Sequence, residues 1–232
     1  MDRQSWWLDE EAHAGAEHLD ADYVATYEAK AQYDPAEDVE RLSALGLDAA
    51  STVLDIGAGT GVFAMAVAAR AGTVIAVDVS PAMCRVIGER ATKSEVSNVI
   101  VQKAGFLTYA GDPHSVDFVF TRNAMHQIPD FWKVVALRRI HDLLKPGGVL
   151  LLHDLVYDID TFRVADSIDR WVSGGVDDPA LGYTPNDLAE HVRSEYSTFS
   201  WLFDRMLDKT GFEVMERHFR RDVYATYTCR AL

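Results

Sequence analysis

The sequence predicts an α/β fold with a mostly parallel sheet and helices on both faces. First, the apolar run Thr52–Ile56 ends at a glycine-rich turn and leads into a helix-compatible stretch at 62–70. Second, further apolar runs follow, separated by helical spacing or by turn signals. Third, polar residues directly follow several of these runs, which is typical of the ligand-binding edge of a parallel sheet.

The composition is that of an ordinary globular chain. It has 232 residues, of which 48% are hydrophobic and 25% charged, and this predicts a single domain. The formal net charge is −14, and Lys and Arg are not clustered. Because binding to a phosphate backbone needs such clusters, we expect no nucleic-acid partner.

Several absent patterns narrow the chemistry. Cys84 and Cys229 lack metal or redox spacing and are interpreted as reduced thiols of an intracellular protein. No signal peptide is recognised, and no run approaches the ~18 apolar residues of a membrane span, so we expect a cytoplasmic enzyme without a membrane partner. No histidine pair has zinc-ligand spacing and no nucleophile motif occurs, so we predict neither a metal nor nucleophilic catalysis.

The first 34 residues are acidic and rich in aromatic side chains. Within them, 21–32 is predicted to be a helix whose Tyr23 and Tyr27 share one face. After an Asp-Pro break, a second helix is predicted at 37–45, with Gly46 as its C-terminal cap.

Three glycines, Gly57, Gly59 and Gly61, stand at alternate positions after the first strand. Glycine permits positive φ and a close approach of a ligand to the main chain, and the helix start behind the turn offers N–H groups. The turn therefore predicts a nucleotide-like cofactor. Val62 fills the third glycine slot of the dinucleotide motif, and the phosphate-loop Lys is missing. Asp55 would repel a pyrophosphate but suits a ligand with an ammonium group.

The second predicted strand, Val74–Val77, ends at Asp78. This acid lies 21 residues after Gly57 (78 − 57), where an acid of a βαβ unit can accept two hydrogen bonds from a ribose diol. Ser80 is expected to cap the next helix, with Pro81 at its first position.

The remaining elements continue the alternation. We predict strands at 98–103, 115–121 and 149–152, helices at 131–144, 184–195 and 199–210, a turn at 145–148, and a closing hairpin of 213–219 with 223–229. Asn123 follows the fourth strand, at the edge where α/β sheets bind ligands. A neutral imidazole at His126 can accept a proton from a substrate hydroxyl or amine.

Several of these stretches resemble the class I S-adenosylmethionine (SAM)-dependent methyltransferases. The acid-x-Gly-x-Gly-x-Gly run that begins at Asp55 resembles motif I, and Asp78-Val79-Ser80-Pro81-Ala82-Met83 matches the acid-x-Ser-Pro-x-Met run of that family. Asp117 opens the fourth strand as in motif IV, and Leu-Lys-Pro-Gly-Gly precedes the fifth. The stretch from Asn123 to His126 resembles the corresponding stretch of the small-molecule branch of this family, the branch similar to methyltransferase types 11 and 25.

The resemblance covers about 35–232 and is strongest over 53–155. It implies a Rossmann-like sheet of seven strands, mostly parallel with an antiparallel last strand, and helices on both faces. It also implies one domain over 1–232, with an N-terminal cap at 1–34 and a lid insertion at about 156–200. The implied cofactor is SAM, bound by Asp55, Gly57, Ala58, Gly59, Gly61, Asp78, Val79, Phe106 and Asn123.

The resemblance further implies a role for individual residues. Asp55 supports the amino end of SAM, Asp78 holds the ribose, and Asn123 lines the methionyl side. His126 is the predicted catalytic residue, which receives the substrate proton. Phe106 departs from the family, because relatives usually place Asp there to accept from the adenine amino group. Phe can stack on the purine, but main chain or a water would have to replace that acceptor.

These observations predict methyl transfer from SAM to an O, N or C nucleophile of a small-molecule acceptor. The acidic balance favours neutral or cationic acceptors. Two alternatives stay open at this point: a nicotinamide-dependent oxidoreductase, and a SAM-binding regulatory or assembly protein without transfer activity. The sequence identifies neither the acceptor nor the oligomeric state.

Overall fold

A central β-sheet organises the chain, whose residues 4–14 and 33–232 are described by a computed structural model. Seven strands follow one another in the order β3-β2-β1-β4-β5-β8-β7, and a two-residue strand, β6, pairs beside β5 as an eighth. The strands are β1 Thr52–Ile56, β2 Thr73–Asp78, β3 Val99–Lys103, β4 Val116–Arg122, β5 Leu144–Tyr157, β6 Thr198–Phe199, β7 Phe212–Arg220 and β8 Tyr224–Ala231.

The strand directions confirm the predicted α/β class. β1 runs parallel to both neighbours, with Val53 opposite Val74 on one side and Phe118 on the other. β8 runs antiparallel to β5 and to β7, as predicted for the closing hairpin. The carboxyl ends of β1, β2 and β4 consequently meet at one edge of the sheet, and the predicted site residues follow these ends.

Seven α-helices occur in the described residues, namely α1 Ala36–Ala44, α2 Val62–Val67, α3 Pro81–Lys93, α4 Asp130–Leu143, α5 Val164–Val172, α6 Pro185–Ser194 and α7 Ser200–Lys209. Short 3-10 helices form at Glu11–His13 and Met125–Gln127. The helix predicted at 21–32 lies outside the described residues, and α5 was not predicted from the sequence. None of the helices in the described ranges is long and apolar enough to cross a membrane.

Both faces of the sheet are buried. Leu54 and Ile56 of β1 join one apolar cluster, whereas Val53 joins the cluster on the opposite face. Alternate side chains of a strand point to opposite faces, so a strand covered on both sides is apolar throughout. This burial explains the continuous apolar run that precedes the glycine turn.

Helix α2 is shorter than predicted, because it ends at Val67 rather than at residue 70. Beyond it, the N–H of Gly72 donates to the carbonyl of Ser51 at 3.0 Å, and a Cβ on Gly72 would lie 2.5 Å from the carbonyl oxygen of Ala49. The chain must therefore turn sharply here to enter β2, which stops the helix early.

The Lys-Pro-Gly-Gly turn becomes part of β5 rather than a turn before it. Leu144 pairs with Val116, and the next pair joins Val149 to Phe118, so four residues of β5 bulge out between the two pairs. Gly147 has φ of +79° within this bulge. The predicted turn chemistry is therefore present, but strand pairing begins on its N-terminal side.

The region expected to form a lid contains two helices, α5 and α6, with their own apolar cluster. Trp171 of α5 and Leu188 of α6 pack against Leu155 of β5 and Val223 beside β8. The indole N–H of Trp171 donates to the Tyr224 hydroxyl at 3.1 Å. These contacts attach α5 and α6 to the end of the sheet that carries the predicted site.

Candidate active site at the carboxyl edge of the sheet

A cleft opens where β1, β2 and β4 end. Its empty space amounts to about 670 Å³ and is partly open to solvent. This lies within the ~300–1,000 Å³ typical of small-molecule sites. Of the predicted cofactor residues, those that line it are Gly57, Gly59, Asp78, Val79, Phe106 and Asn123. Asp55, Ala58 and Gly61 lie outside the lining.

Two residues of the glycine turn pack so closely against neighbouring segments that a larger side chain would not fit. Gly57 has φ of +73°, and a Cβ there would lie 2.5 Å from the Cβ of Ala124. Gly61 has φ of +80°, and its added Cβ would lie 2.9 Å from Ile87. Since positive φ is costly for other residues, both positions require glycine. Gly57 lets the turn approach the chain after β4, and Gly61 lets α2 approach α3.

Asp78 sits at the end of β2 with its carboxylate already oriented. Its Oδ2 accepts from the N–H of Gly59 at 2.9 Å and its Oδ1 from the N–H of Ser80 at 2.8 Å. Burial raises the Asp78 pKa to about 6, although these two backbone hydrogen bonds oppose the rise. Each carboxylate oxygen can accept a further donor, so Asp78 retains the capacity to bind a diol.

Asp55 lies in β1, buried behind the cleft lining, with 1% of its surface exposed. Burial raises its pKa well above the ordinary value, the neighbouring charge of Asp78 adds to this, and a hydrogen bond from Ala64 opposes it. Its Oδ2 has no hydrogen-bond partner among the residues that the structure describes. A cation near this pair of acids would relieve their repulsion.

Glu10, which the sequence did not single out, closes the end of the cleft where Phe106 lies. Phe106 itself is buried and lines the cleft. Beside it lies Glu10 of the N-terminal segment, whose Oε2 accepts from the N–H of Leu107 at 2.9 Å. A Cβ on Gly105 would lie 2.6 Å from Glu10 Oε1, so the carboxylate packs directly on this loop. Glu10 stands among other acids in the sequence, and no local pattern distinguishes it.

Asn123 follows β4 and also lines the cleft. Its φ of +50° belongs to the left-handed region, which Asn tolerates better than most residues. Its N–H donates to the carbonyl of His153 at 2.8 Å, which holds the turn against β5. Arg122 also lines the cleft, with its guanidinium 4.2 Å from the centre of the Tyr33 ring.

His126 does not line the cleft, although Gln127 and Ile128 beside it do. Its Nδ1 hydrogen-bonds Asp154, and its Nε2 lies 3.1 Å from Glu195 Oε2. Burial lowers its pKa, but the charges and contacts of Asp154 and Glu195 outweigh this and raise it to about 9. Because both ring nitrogens contact carboxylates and the ring lies outside the cleft lining, this geometry gives no support to His126 as a proton acceptor.

Comparison with known proteins yields methyltransferases. A protein-family model described as a methyltransferase domain matches residues 53–148, from β1 into β5. An uncharacterized methyltransferase of Geobacillus kaustophilus is 27% identical over 172 residues, which cover 74% of this chain and 73% of that protein.

Solved structures share the fold at low sequence identity. A SAM-dependent methyltransferase from Aquifex aeolicus superimposes with a TM-score of 0.61 and 19% identity, covering 97% of this chain and 100% of that one. The Haemonchus contortus phosphoethanolamine N-methyltransferase 2, solved with phosphomonomethylethanolamine and S-adenosylhomocysteine, gives a TM-score of 0.69 and 19% identity, covering 97% and 61%. At this identity, the structural likeness establishes the fold alone.

Proposed function

We propose that this chain is a class I SAM-dependent methyltransferase and that it methylates an O, N or C nucleophile of a small-molecule acceptor. The observation that carries the proposal is the cleft, which joins the glycine turn to Asp78 within about 670 Å³. The N-terminal segment walls one end of it through Glu10. A bounded cleft of this kind suits a cofactor and a small acceptor better than a polymer.

The residues present fit SAM. The bare backbone at Gly57 and Gly59 accommodates the cofactor, and the Asp78 carboxylate is oriented to receive the ribose hydroxyls. Val79 and Phe106 line the cleft and would offer apolar walls for the adenine, and Asn123 would line the methionyl side. Asp55, buried behind the lining, would supply a carboxyl group toward the amino end. When bound, the sulfonium of SAM supplies an activated methyl group.

The protein's own contribution is therefore positioning and exclusion of water. Holding the acceptor nucleophile in line with the methyl group removes much of the entropic barrier. The N-terminal cap at 1–34 and the lid at about 156–200 would cover the cleft from two sides. Since His126 is held between two carboxylates, no side chain of the described residues is assigned as a general base.

The charges around the cleft indicate which class of acceptor to test first. Among the described residues, the ionisable side chains that line the cleft are Glu10, Asp78 and Arg122, and the whole chain has a formal net charge of −14. This balance favours neutral or cationic acceptors, with amines as the first class to test. The Haemonchus contortus neighbour was solved with phosphomonomethylethanolamine, which contains an amine. The two alternatives of the sequence analysis gain no support from the comparisons.

The test incubates the full chain with SAM and a panel of small amines, alcohols, phenols and carbon acids. Turnover is measured as the formation of S-adenosylhomocysteine. We expect acceptor-dependent release that is lost or strongly reduced in Asp78→Asn. Binding of S-adenosylhomocysteine without turnover across the panel would instead favour a regulatory or assembly protein. Binding of NADH but not of S-adenosylhomocysteine would favour an oxidoreductase.

A further inference from the structure

Two histidines and a glutamate converge beside the cleft, where the lid meets the sheet. His126 lies in the 3-10 helix after β4, His191 lies in α6, and Glu195 follows that helix by one residue. One nitrogen of each ring and one carboxylate oxygen all lie within 4.8 Å of one another. Among the described residues, no other three His, Cys, Asp or Glu side chains bring potential metal-ligand atoms this close together.

Each imidazole is oriented by a partner outside the group. His126 Nδ1 hydrogen-bonds Asp154, and Asp154 is itself held by the N–H groups of Met125 and Leu155, each at 2.7 Å. His191 Nε2 hydrogen-bonds the Ser197 hydroxyl at 2.8 Å. The other nitrogen of each ring therefore faces Glu195, and metal-binding histidines are typically held in this way.

Glu195 contacts both imidazole rings through one carboxylate oxygen. Its Oε2 lies 3.1 Å from His126 Nε2 and within ion-pair distance of His191 Nδ1. Yet this buried atom has no properly aligned hydrogen bond from any described residue. Ligand atoms bound at ~2.1 Å to a tetrahedral ion lie about 3.4 Å from one another. The separation of His126 Nε2 and Glu195 Oε2 is close to this spacing, whereas His191 Nδ1 lies nearer to the carboxylate and would have to move slightly to admit an ion.

We infer that His126, His191 and Glu195 form a binding site for a divalent first-row transition ion such as Zn²⁺, Fe²⁺ or Co²⁺. Two imidazole nitrogens and one carboxylate suit these ions, whereas Mg²⁺ and Ca²⁺ prefer oxygen ligands alone. Three protein ligands leave at least one coordination position for a water or another small ligand. The Glu195 side chain is 28% exposed, which provides a route from solvent.

The ion would join the lid to the sheet. His126 is anchored to β5 through Asp154, and its carbonyl accepts from the N–H of Tyr196 at 2.8 Å. His191 and Glu195 belong to the lid. A shared ion would therefore hold the end of α6 against the turn whose Gln127 and Ile128 line the cleft. The inference does not depend on methyl transfer and is tested without SAM or an acceptor.

The experiment uses the full chain without a histidine tag, stripped by a chelator and then titrated with Zn²⁺ by calorimetry and with Co²⁺ by absorption. We expect one ion per chain, and Co²⁺ bands of a four- or five-coordinate site with nitrogen ligands. His191→Ala and Glu195→Gln should each weaken binding at least tenfold. The controls Glu190→Gln, on an exposed part of α6, and His218→Ala, on exposed β7, should bind as the parent chain does.

Circular dichroism of the metal-free variants shows whether each one folds. If His191→Ala does not fold, Glu195→Gln decides, because the amide keeps the shape of the carboxylate. The Co²⁺ spectrum of the parent chain is independent of either variant. The inference is overturned if the parent chain binds no ion, if Co²⁺ gives only a six-coordinate spectrum of oxygen ligands, or if folded Glu195→Gln binds as tightly as the parent.

Discussion

Asp78 accepts a hydrogen bond from the N–H of Gly59 at 2.9 Å, so the acid that ends β2 is joined directly to the glycine turn after β1. The same carboxylate accepts from the N–H of Ser80 at the start of α3. Two motifs that are separate in the sequence therefore act as one rigid unit. Preorganisation of this kind lowers the entropic cost of binding a ligand.

This unit predicts a large effect of Asp78→Asn on cofactor affinity. An amide has only one acceptor oxygen, so it cannot satisfy both backbone donors and also receive the ribose hydroxyls. We expect S-adenosylhomocysteine to bind about 10–100-fold more weakly, or roughly 1.5–3 kcal/mol. Calorimetry measures this, with Asp177→Asn on the exposed surface as the matched control. Equal affinities of the parent and Asp78→Asn would contradict the assignment.

The same substitution predicts a change in the pH dependence of stability. The Asp78 pKa is raised from 3.8 to about 6 by burial, so between these values the folded chain binds more protons than the unfolded chain. Stability therefore falls as pH rises through this window, by about 3 kcal/mol from this group, and is unaffected by it below pH ~4.

The Asn side chain of Asp78→Asn does not titrate. The unfolding free energy of this variant should therefore rise relative to that of the parent chain as pH increases from 4 to 7. Urea unfolding of both chains at pH 4, 5, 6 and 7 measures the difference in unfolding free energy. A difference that stays constant across this range, or that shrinks as pH rises, would show that Asp78 is not buried as described.

The glycine turn predicts opposite outcomes for two Gly→Ala substitutions. In Gly57→Ala the new Cβ lies 2.5 Å from the Cβ of Ala124 at φ of +73°, and we expect a loss of about 1–3 kcal/mol in unfolding free energy. Gly88 lies in α3 with nothing within 4 Å of an added Cβ. Gly88→Ala should therefore stabilise the chain by about 0.5–1 kcal/mol. Thermal and urea unfolding distinguish the two, and equal changes would contradict the turn geometry.

Glu10 predicts a link between the N-terminal segment and cofactor binding. In Glu10→Ala the N–H of Leu107 loses its acceptor and the segment loses a contact with the Gly105 loop. We expect roughly 3–10-fold weaker binding of S-adenosylhomocysteine, the scale of one hydrogen bond. Glu11→Ala is the control, because Glu11 pairs with the exposed Lys103 and neither residue lines the cleft. Tighter binding in Glu10→Ala would show instead that Glu10 blocks the adenine end.

Local patterns were sufficient for much of this protein. Strand β1, the glycine turn, the Ser80 cap with Pro81 and the closing hairpin all form where the sequence predicts them. Each depends on residues close together in the chain, such as an apolar run, a residue able to adopt positive φ, or a side chain that caps its own helix. The parallel strand order then brought Gly57, Asp78 and Asn123 to one edge, as the predicted fold requires.

What the sequence determined by itself is therefore the α/β fold, the expectation of a SAM cofactor, and the placement of Gly57, Asp78 and Asn123 at neighbouring strand ends. Only the tertiary structure placed Glu10 beside Phe106, enclosed His126 between Asp154 and Glu195, and brought His191 to the same point. These contacts join segments far apart in the chain. Periodicity and motif spacing report which face a residue occupies, but the packing of the N-terminal segment and of α6 against the sheet decides which distant side chain meets it.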